Sequence, residues 1–441
     1  MAVPKTAALP LGDTPTVRRC LAKCVWGCKG ALRKNRNLDA GSAPRYAGSM
    51  ETFDVVVLGA GAAGLFAGIE SARRGRRVLV VDHAKAPGEK IRISGGGRCN
   101  FTNLGIAPDR FLSKNPRFAL SALKRYTQWD FVARMDAWGI AWHEKTLGQL
   151  FCDGPATQVV EALTRDLAQA GAALWLGVTI DAVEQTAGGF VVRTGRGPVA
   201  CASVIVATGG KSIPKMGATG FGYRIAEQFG LPLVETRPAL VPLTFAEQEL
   251  GWMKPLAGLA VDGRVSHGRT SFAEAMLFTH RGLSGPAILQ ISSYWREGDP
   301  VVLDLTMGRD VAASLRQTRQ EAPKAALRTA LAALVPDRLA RHLEEVVAPS
   351  GPIGTLSNAA LEQVAALLRS WLLMPVGSEG YRTAEVTLGG VDTDALDART
   401  MQAKGVPGLY FVGEVVDVTG WLGGYNFQWA WSSGWAAGQT A

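Results

Sequence analysis

Apolar positions along this chain change rhythm three times. Val55, Val56, Val57 and Leu58 form a continuous apolar run too short for a helix, the pattern of a strand buried on both faces of a parallel sheet. A second such run, Val78 to Val81, follows a stretch expected to be helical. Phe118 to Trp138 and Thr157 to Ala170 carry apolar residues at helical spacing. Alternating, strand-like stretches follow at 173–178 and 190–194, and 204–207 is another buried strand. From about Lys211 this α/β alternation stops. Residues 235–306 hold short alternating stretches and turn residues, predicting a small antiparallel β unit, while 310–348 and 356–373 read as helices. The α/β pattern returns with a short strand at 409–412 and a helical run from Gln428 to Ala437. The expected architecture is therefore one α/β sheet built from both ends of the chain. Its parts are a disordered leader or misassigned start at 1–49, a first part at 51–212, an insert at 213–375 and a C-terminal part at 376–441.

Charge changes that picture at one end only. The chain has 441 residues and a net charge of +9, which taken whole suggests a nucleic-acid partner. Residues 1–49, however, hold nine Lys and Arg against two Asp, so +7 lies there and +2 is left for the rest. Met50 stands immediately before the first strand, so the leader is expected to be disordered or Met50 to be the true start. Cys20, Cys24 and Cys28 would share one helix face within it, without a fourth metal ligand at a recognisable spacing. Cys99, Cys152 and Cys201 are scattered, which is no disulfide framework and fits a reducing, cytoplasmic setting. No apolar run reaches the length of a membrane span.

The candidate chemistry begins at the first strand-to-helix turn. Gly59, Gly61 and Gly64 stand at G-x-G-x-x-G spacing: the first for the turn, the second for close approach of a pyrophosphate, the third for helix–strand packing. Ala62 and Ala63 would offer backbone N–H groups at the positive helix end. Asp82, about 20 residues on, takes the position of the ribose-binding acid, with His83 beside it at the adenine end. A second glycine segment carries Ser94, Gly95, Gly96, Gly97, Arg98, Cys99 and Asn100, where Lys90 and Arg98 would place positive charge near phosphates. Cys99 is read as a packed residue in preference to a redox-active one. Thr208, Gly209 and Gly210 end a buried strand; Gly413 and Glu414 end another; Gly423, Gly424, Tyr425, Asn426 and Phe427 open the last helix.

These segments resemble one family. The glycine fingerprint, ISGGGRCNFTN at 93–103, VIVATGG at 204–210, GATGFGYRIAEQFG at 217–230, FTHRGLSGPAILQIS at 278–292 and GLYFVGEVVDVTGWLGGYNFQWAWSSGWAAG at 408–438 are similar to the BaiN-like NAD(P)/FAD-dependent oxidoreductases. The resemblance covers nearly everything after Met50. It implies a Rossmann-like FAD/NAD(P)-binding domain split by an insert with a β-barrel-like part and a helical part. It also implies FAD as cofactor, with Asp82 on the adenosine ribose, the glycine loop on the pyrophosphate, Glu414 near the ribityl and pyrophosphate, and Gly423 to Phe427 beside the isoalloxazine. Phe221 and Leu231 depart from the pattern, standing where an acid and a histidine are expected.

The leading expectation is hydride transfer from NAD(P)H, as a transient donor, through the flavin to a small organic acceptor. Arg98, His280 and Asn426 are the candidate catalytic groups. The alternatives are a flavin-dependent RNA-modifying protein, disfavoured by the +2 charge after residue 49, and an electron carrier or sensor. No nucleic-acid or membrane partner is expected, and the oligomeric state is open.

Overall fold

The computed structural model describes residues 50–347 and 351–441. The leader and its three cysteines lie outside the described residues, as does the end of the 310–348 stretch. Residues 50–441 form one compact unit.

β1 (Glu51–Leu58) sits near the middle of a parallel sheet because Val55 to Leu58 are buried completely on both faces. It pairs with β2 (Val78–Asp82) on one side and with residues 197–206 on the other. The strand at 173–176 extends the sheet beyond β2. On the other side, residues 204–206 pair in parallel with 409–411, so the C-terminal strand joins the sheet laid down by the first two hundred residues. An antiparallel ribbon, 189–194 and 180–186, completes that edge. Helix α1 (Ala62–Arg73) packs against the C-terminal helix Tyr425–Gly438 through small residues, since a Cβ at Gly434 would meet the Ala63 carbonyl at 2.6 Å. This is a Rossmann-like α/β fold.

The antiparallel sheet draws its strands from 243–378. Its order is 371–373, 301–304, 260–267, 270–279, 282–284, 243–244, 377–378. The two edge strands are neighbours in sequence, joined by residues 374–376, so the sheet curls toward closure. Helices 311–321, 327–331, 337–347 and 358–369 accompany it in a second apolar core.

Several expected elements differ in detail. The run 118–138 is two helices, 119–125 and 128–137, because Thr127 caps the second through a reciprocal bond with Asp130. The stretch 310–348 is three helices, separated around Pro323 and Pro336. Residues 371–373 form a strand in place of the end of a helix, and 286–292 form a helix inside the expected β unit, with Pro286 at its first position.

Candidate functional site

A cleft of about 930 Å³ opens at the carboxyl ends of β1, β2 and the strands 197–206 and 409–411. Open α/β sheets place ligands at that position. Its floor starts at the turn after β1. Gly59 has φ +112, and a Cβ there would meet the Ala207 carbonyl oxygen at 2.5 Å. Gly61 is the N-cap of α1 and provides no side-chain cap, so the first amides of the helix open on the cleft beside Ala62 and Ala63. No protein atom lies within 4 Å of a Cβ built on Gly61. Gly64 is buried instead: a Cβ would overlap the Gly59 carbonyl, so it serves the helix–strand packing and does not line the cleft.

Asp82 ends β2 and braces that turn. Its Oδ2 accepts from the Ala60 N–H at 2.6 Å and its Oδ1 from the Ala84 N–H at 2.8 Å. His83 is exposed, with Nδ1 3.4 Å from Asp82 Oδ1. Both line the cleft, as do Ser94, Gly95, Gly96 and Asn100. Helix α2 (Glu89–Gly97) leaves helical geometry at Ser94, and Gly95 and Gly96 are left-handed, at φ +57 and +66. A Cβ on Gly96 would meet nothing, while one on Gly95 would press on the Phe151 ring at 2.7 Å.

The middle of the cleft carries a half-buried polar network. Lys90 Nζ donates to Glu414 Oε2 at 2.8 Å and to Ser212 Oγ at 2.7 Å. Glu414 Oε1 accepts from Ser212 Oγ at 2.8 Å and from the Thr387 N–H at 2.9 Å. Burial works against the charged form of Glu414, but the Lys90 charge and these hydrogen bonds outweigh it and hold the carboxyl below its usual range. Thr208, Gly209, Gly210, Gly413, Gly423, Gly424, Asn426 and Phe427 complete the glycine-rich lining.

Five expected site residues have other duties. Arg98 points away from the cleft lining and donates to the Asp153 carbonyl at 2.7 Å. Cys99 is completely buried against Cys152, whose hydrogen bond, together with burial, pushes its thiol well above the usual value, so it is a packed residue. Tyr425 is turned into an aromatic cluster with Phe111 and Trp421, its hydroxyl accepting from Arg110 at 2.5 Å. His280 is exposed in the hairpin between 270–279 and 282–284, outside the cleft lining. Asn426 does line the cleft, but its amide is taken up by the Gly420 N–H, at 2.8 Å, and the carbonyls of Gly420 and Trp421. Lys90 lines the cleft, with its charge matched by Glu414.

Sequence reasoning missed Gln149, Phe151, Ser212, Leu240, Pro286, Glu385 and Thr387. Apart from Pro286, which lies in the 278–292 segment, no local pattern marks them; each reaches the site through a strand or turn packed from elsewhere.

The residues fit FAD. Thr208 Oγ1 is buried without a partner in the cleft lining. An uncapped helix N-terminus and open space at Gly61 and Gly96 suit a pyrophosphate and an extended ligand. The C-terminal helix begins at Gly424, also without a side-chain cap, and aims a second positive end at the Gly423–Phe427 wall.

Comparison with known proteins supports this assignment. The family model described as HI0933-like protein Rossmann domain matches residues 53–440. The chain is 49% identical over 392 residues to the ribosomal RNA dihydrouridine synthase of Escherichia coli K12, covering 88% of this chain and 98% of that protein. It is 46% identical over 388 residues to the Haemophilus influenzae protein of the same name, covering 86% and 96%. It is 29% identical over 404 residues to the 3-dehydro-bile acid delta(4,6)-reductase of Clostridium scindens, covering 87% and 98%.

Proposed function

The chain belongs to the HI0933-like family of FAD-dependent oxidoreductases, and on that premise we propose that it reduces a uridine of ribosomal RNA to dihydrouridine, with NAD(P)H as electron donor. The carrying observation is the 49% identity along 98% of a ribosomal RNA dihydrouridine synthase. The name of the 29% relative is also that of a double-bond reductase, which fits one shared chemistry on different acceptors. In uracil the C5=C6 bond is conjugated to the C4 carbonyl, so C6 accepts hydride and C5 accepts a proton.

Bound FAD would supply the hydride chemistry. The protein's share is binding and placement. The amides at the start of α1 would meet the pyrophosphate charge, Asp82 and His83 would stand at the adenosine end, and the two glycine walls, 95–96 and 423–424, would allow close backbone approach. The Lys90–Glu414 pair fixes the floor between them. No second glycine fingerprint follows the first, so the nicotinamide would visit the same cleft and leave before the RNA enters.

This reading takes the runner-up acceptor of the sequence analysis in place of a free small molecule. With a net charge of +2 after residue 49, recognition would rest on the shape of folded RNA and on unstacked bases more than on long-range attraction. The test is to incubate FAD-loaded protein with NADH or NADPH and ribosomal RNA transcribed without modifications, then digest the RNA and identify its nucleosides by mass spectrometry. Dihydrouridine at a defined position is expected. Unchanged RNA, from protein that still oxidises NAD(P)H with a conjugated carbonyl compound, would refute the RNA acceptor.

A further inference from the structure

The charged groups of the cleft are unevenly placed. His83, Asp181 and Arg224 line the end shared with Ile180, Gly217 and Phe221, where the adenosine belongs. Glu89 opens α2 beside Gly88, whose N–H donates to the Ala60 carbonyl at the pyrophosphate turn. Lys90 and Glu414 match each other. The wall formed by Leu240, Pro286, Val386 and Leu422 is apolar and carries one ionisable side chain among the described residues, Glu385.

Two observations set Glu385 beside the reacting end. Its backbone N–H donates to the Leu240 carbonyl at 3.2 Å, and the adjacent Val386 packs with Leu240 and Leu422. Leu422 runs directly into Gly423–Phe427, the segment assigned to the flavin ring. The Glu385 carboxyl opens on the cleft and has no hydrogen-bond or ion-pair partner among the described residues. The charged groups nearby are engaged elsewhere. Arg237, on the neighbouring strand 233–239 with Glu235, pairs with Glu297. Lys211 donates to Thr236 at 2.8 Å. The side chain is exposed to the cleft, where a bound ligand can reach it.

Resting on the reading of the chain as a uridine reductase, we propose that Glu385 is the proton donor of the reduction. The C5=C6 π pair is consumed as C6 gains a hydride from the reduced cofactor and C5 forms its new C–H bond with the proton of the Glu385 carboxyl. The carboxylate left behind regains a proton from water. The Glu385 side chain is exposed to the open cleft, and desolvation by the surrounding protein raises its carboxyl above its usual range, the direction that suits a proton donor.

The test compares wild type with Glu385→Gln, which keeps the shape and removes the acid. FAD content and the anaerobic rate of flavin bleaching by NAD(P)H are expected to be unchanged. Reoxidation by unmodified ribosomal RNA is expected to slow by a factor of about 10² to 10⁴, with Glu385→Asp recovering part of it. Independently of any acceptor, carbon-13 NMR of glutamate-labelled protein should show one carboxyl, absent in Glu385→Gln, that titrates above the ordinary glutamate range. Wild-type reoxidation in a flavin-loaded Glu385→Gln, or titration of that carboxyl at or below the ordinary range, would overturn the proposal. Failure of the wild type itself to modify RNA would instead strike the functional reading. The same comparison on a conjugated carbonyl acceptor would then decide the role of Glu385.

Discussion

Gly61 and Gly64 lie on the same turn and should fail for opposite reasons when replaced. Gly61 has an ordinary φ of −81 and free space around its Cβ direction, so Gly61→Val is expected to fold with a nearly unchanged melting temperature as apoprotein yet to retain no FAD. Gly64→Ala would drive a methyl into the Gly59 carbonyl and should cost about 2–4 kcal/mol of stability. Melting curves of the stripped proteins beside their flavin content check both; a Gly61→Val protein that stays yellow would mean that the turn does not touch the cofactor. Glu414 gives a pH signature. Its folded-state carboxyl is held below the ordinary range, so its contribution to stability is full above the unfolded glutamate value and is lost as pH falls through the lower, folded one. Wild type should therefore lose stability on acidification below about 4.5 more steeply than Glu414→Gln. Lys90 is about one-third exposed, so Lys90→Ala should cost only about 1–3 kcal/mol by leaving Glu414 unmatched. The fingerprint glycines and Asp82 were legible because their spacing is local. Ser212 and Thr387 were not, and Lys90 was legible only as a positive charge without its partner, since Glu414 lies on a distant stretch of chain and the pairing exists only once the C-terminal strand has joined the sheet.

Element identity was legible where the apolar period is sustained, and breaks were missed where a short signal interrupts it. The buried runs at 55–58, 78–81 and 204–206 became parallel strands. Within 118–138 the apolar spacing continues across Thr127, but the Thr127–Asp130 cap starts a new helix there. Pro323 and Pro336 fall in the gaps that divide 310–348 into three helices, since a proline cannot continue the helical hydrogen bonding. Cys99 shows the limit of motif reading: it sits among cofactor-lining residues, but the chain direction at φ +47 sends its side chain into the core. At this scale the first strand makes a clear prediction. β1 is paired on one side from Glu51 onward, so a chain beginning at Met50 contains every strand that the described residues contribute to the sheet. It is expected to fold, bind FAD and melt within a few degrees of the full chain; precipitation or loss of flavin on truncation would make the leader part of the fold.

At the scale of the whole molecule, the resemblance of segments from both ends of the chain anticipated their convergence on one cofactor. The structure joins 51–58, 204–206 and 409–411 in one sheet with a cleft along their ends. The acceptor was less legible for a physical reason. The segments that mark the family line the glycine-rich part of the cleft, whereas of the wall at Leu240, Pro286 and Glu385, proposed above to face the acceptor, only Pro286 lies in such a segment. Among the described residues no helix is long and apolar enough to cross a membrane. The central claim is that electrons pass through this cleft to a pyrimidine of ribosomal RNA. The most direct measurement is an anaerobic single turnover: reduce the flavin with NAD(P)H, remove the excess, add unmodified ribosomal RNA, and follow flavin absorbance and dihydrouridine together. The account predicts that the flavin reoxidises and that dihydrouridine forms mole for mole with it. A flavin that stays reduced in the presence of the RNA but reoxidises with a small conjugated carbonyl compound would contradict it.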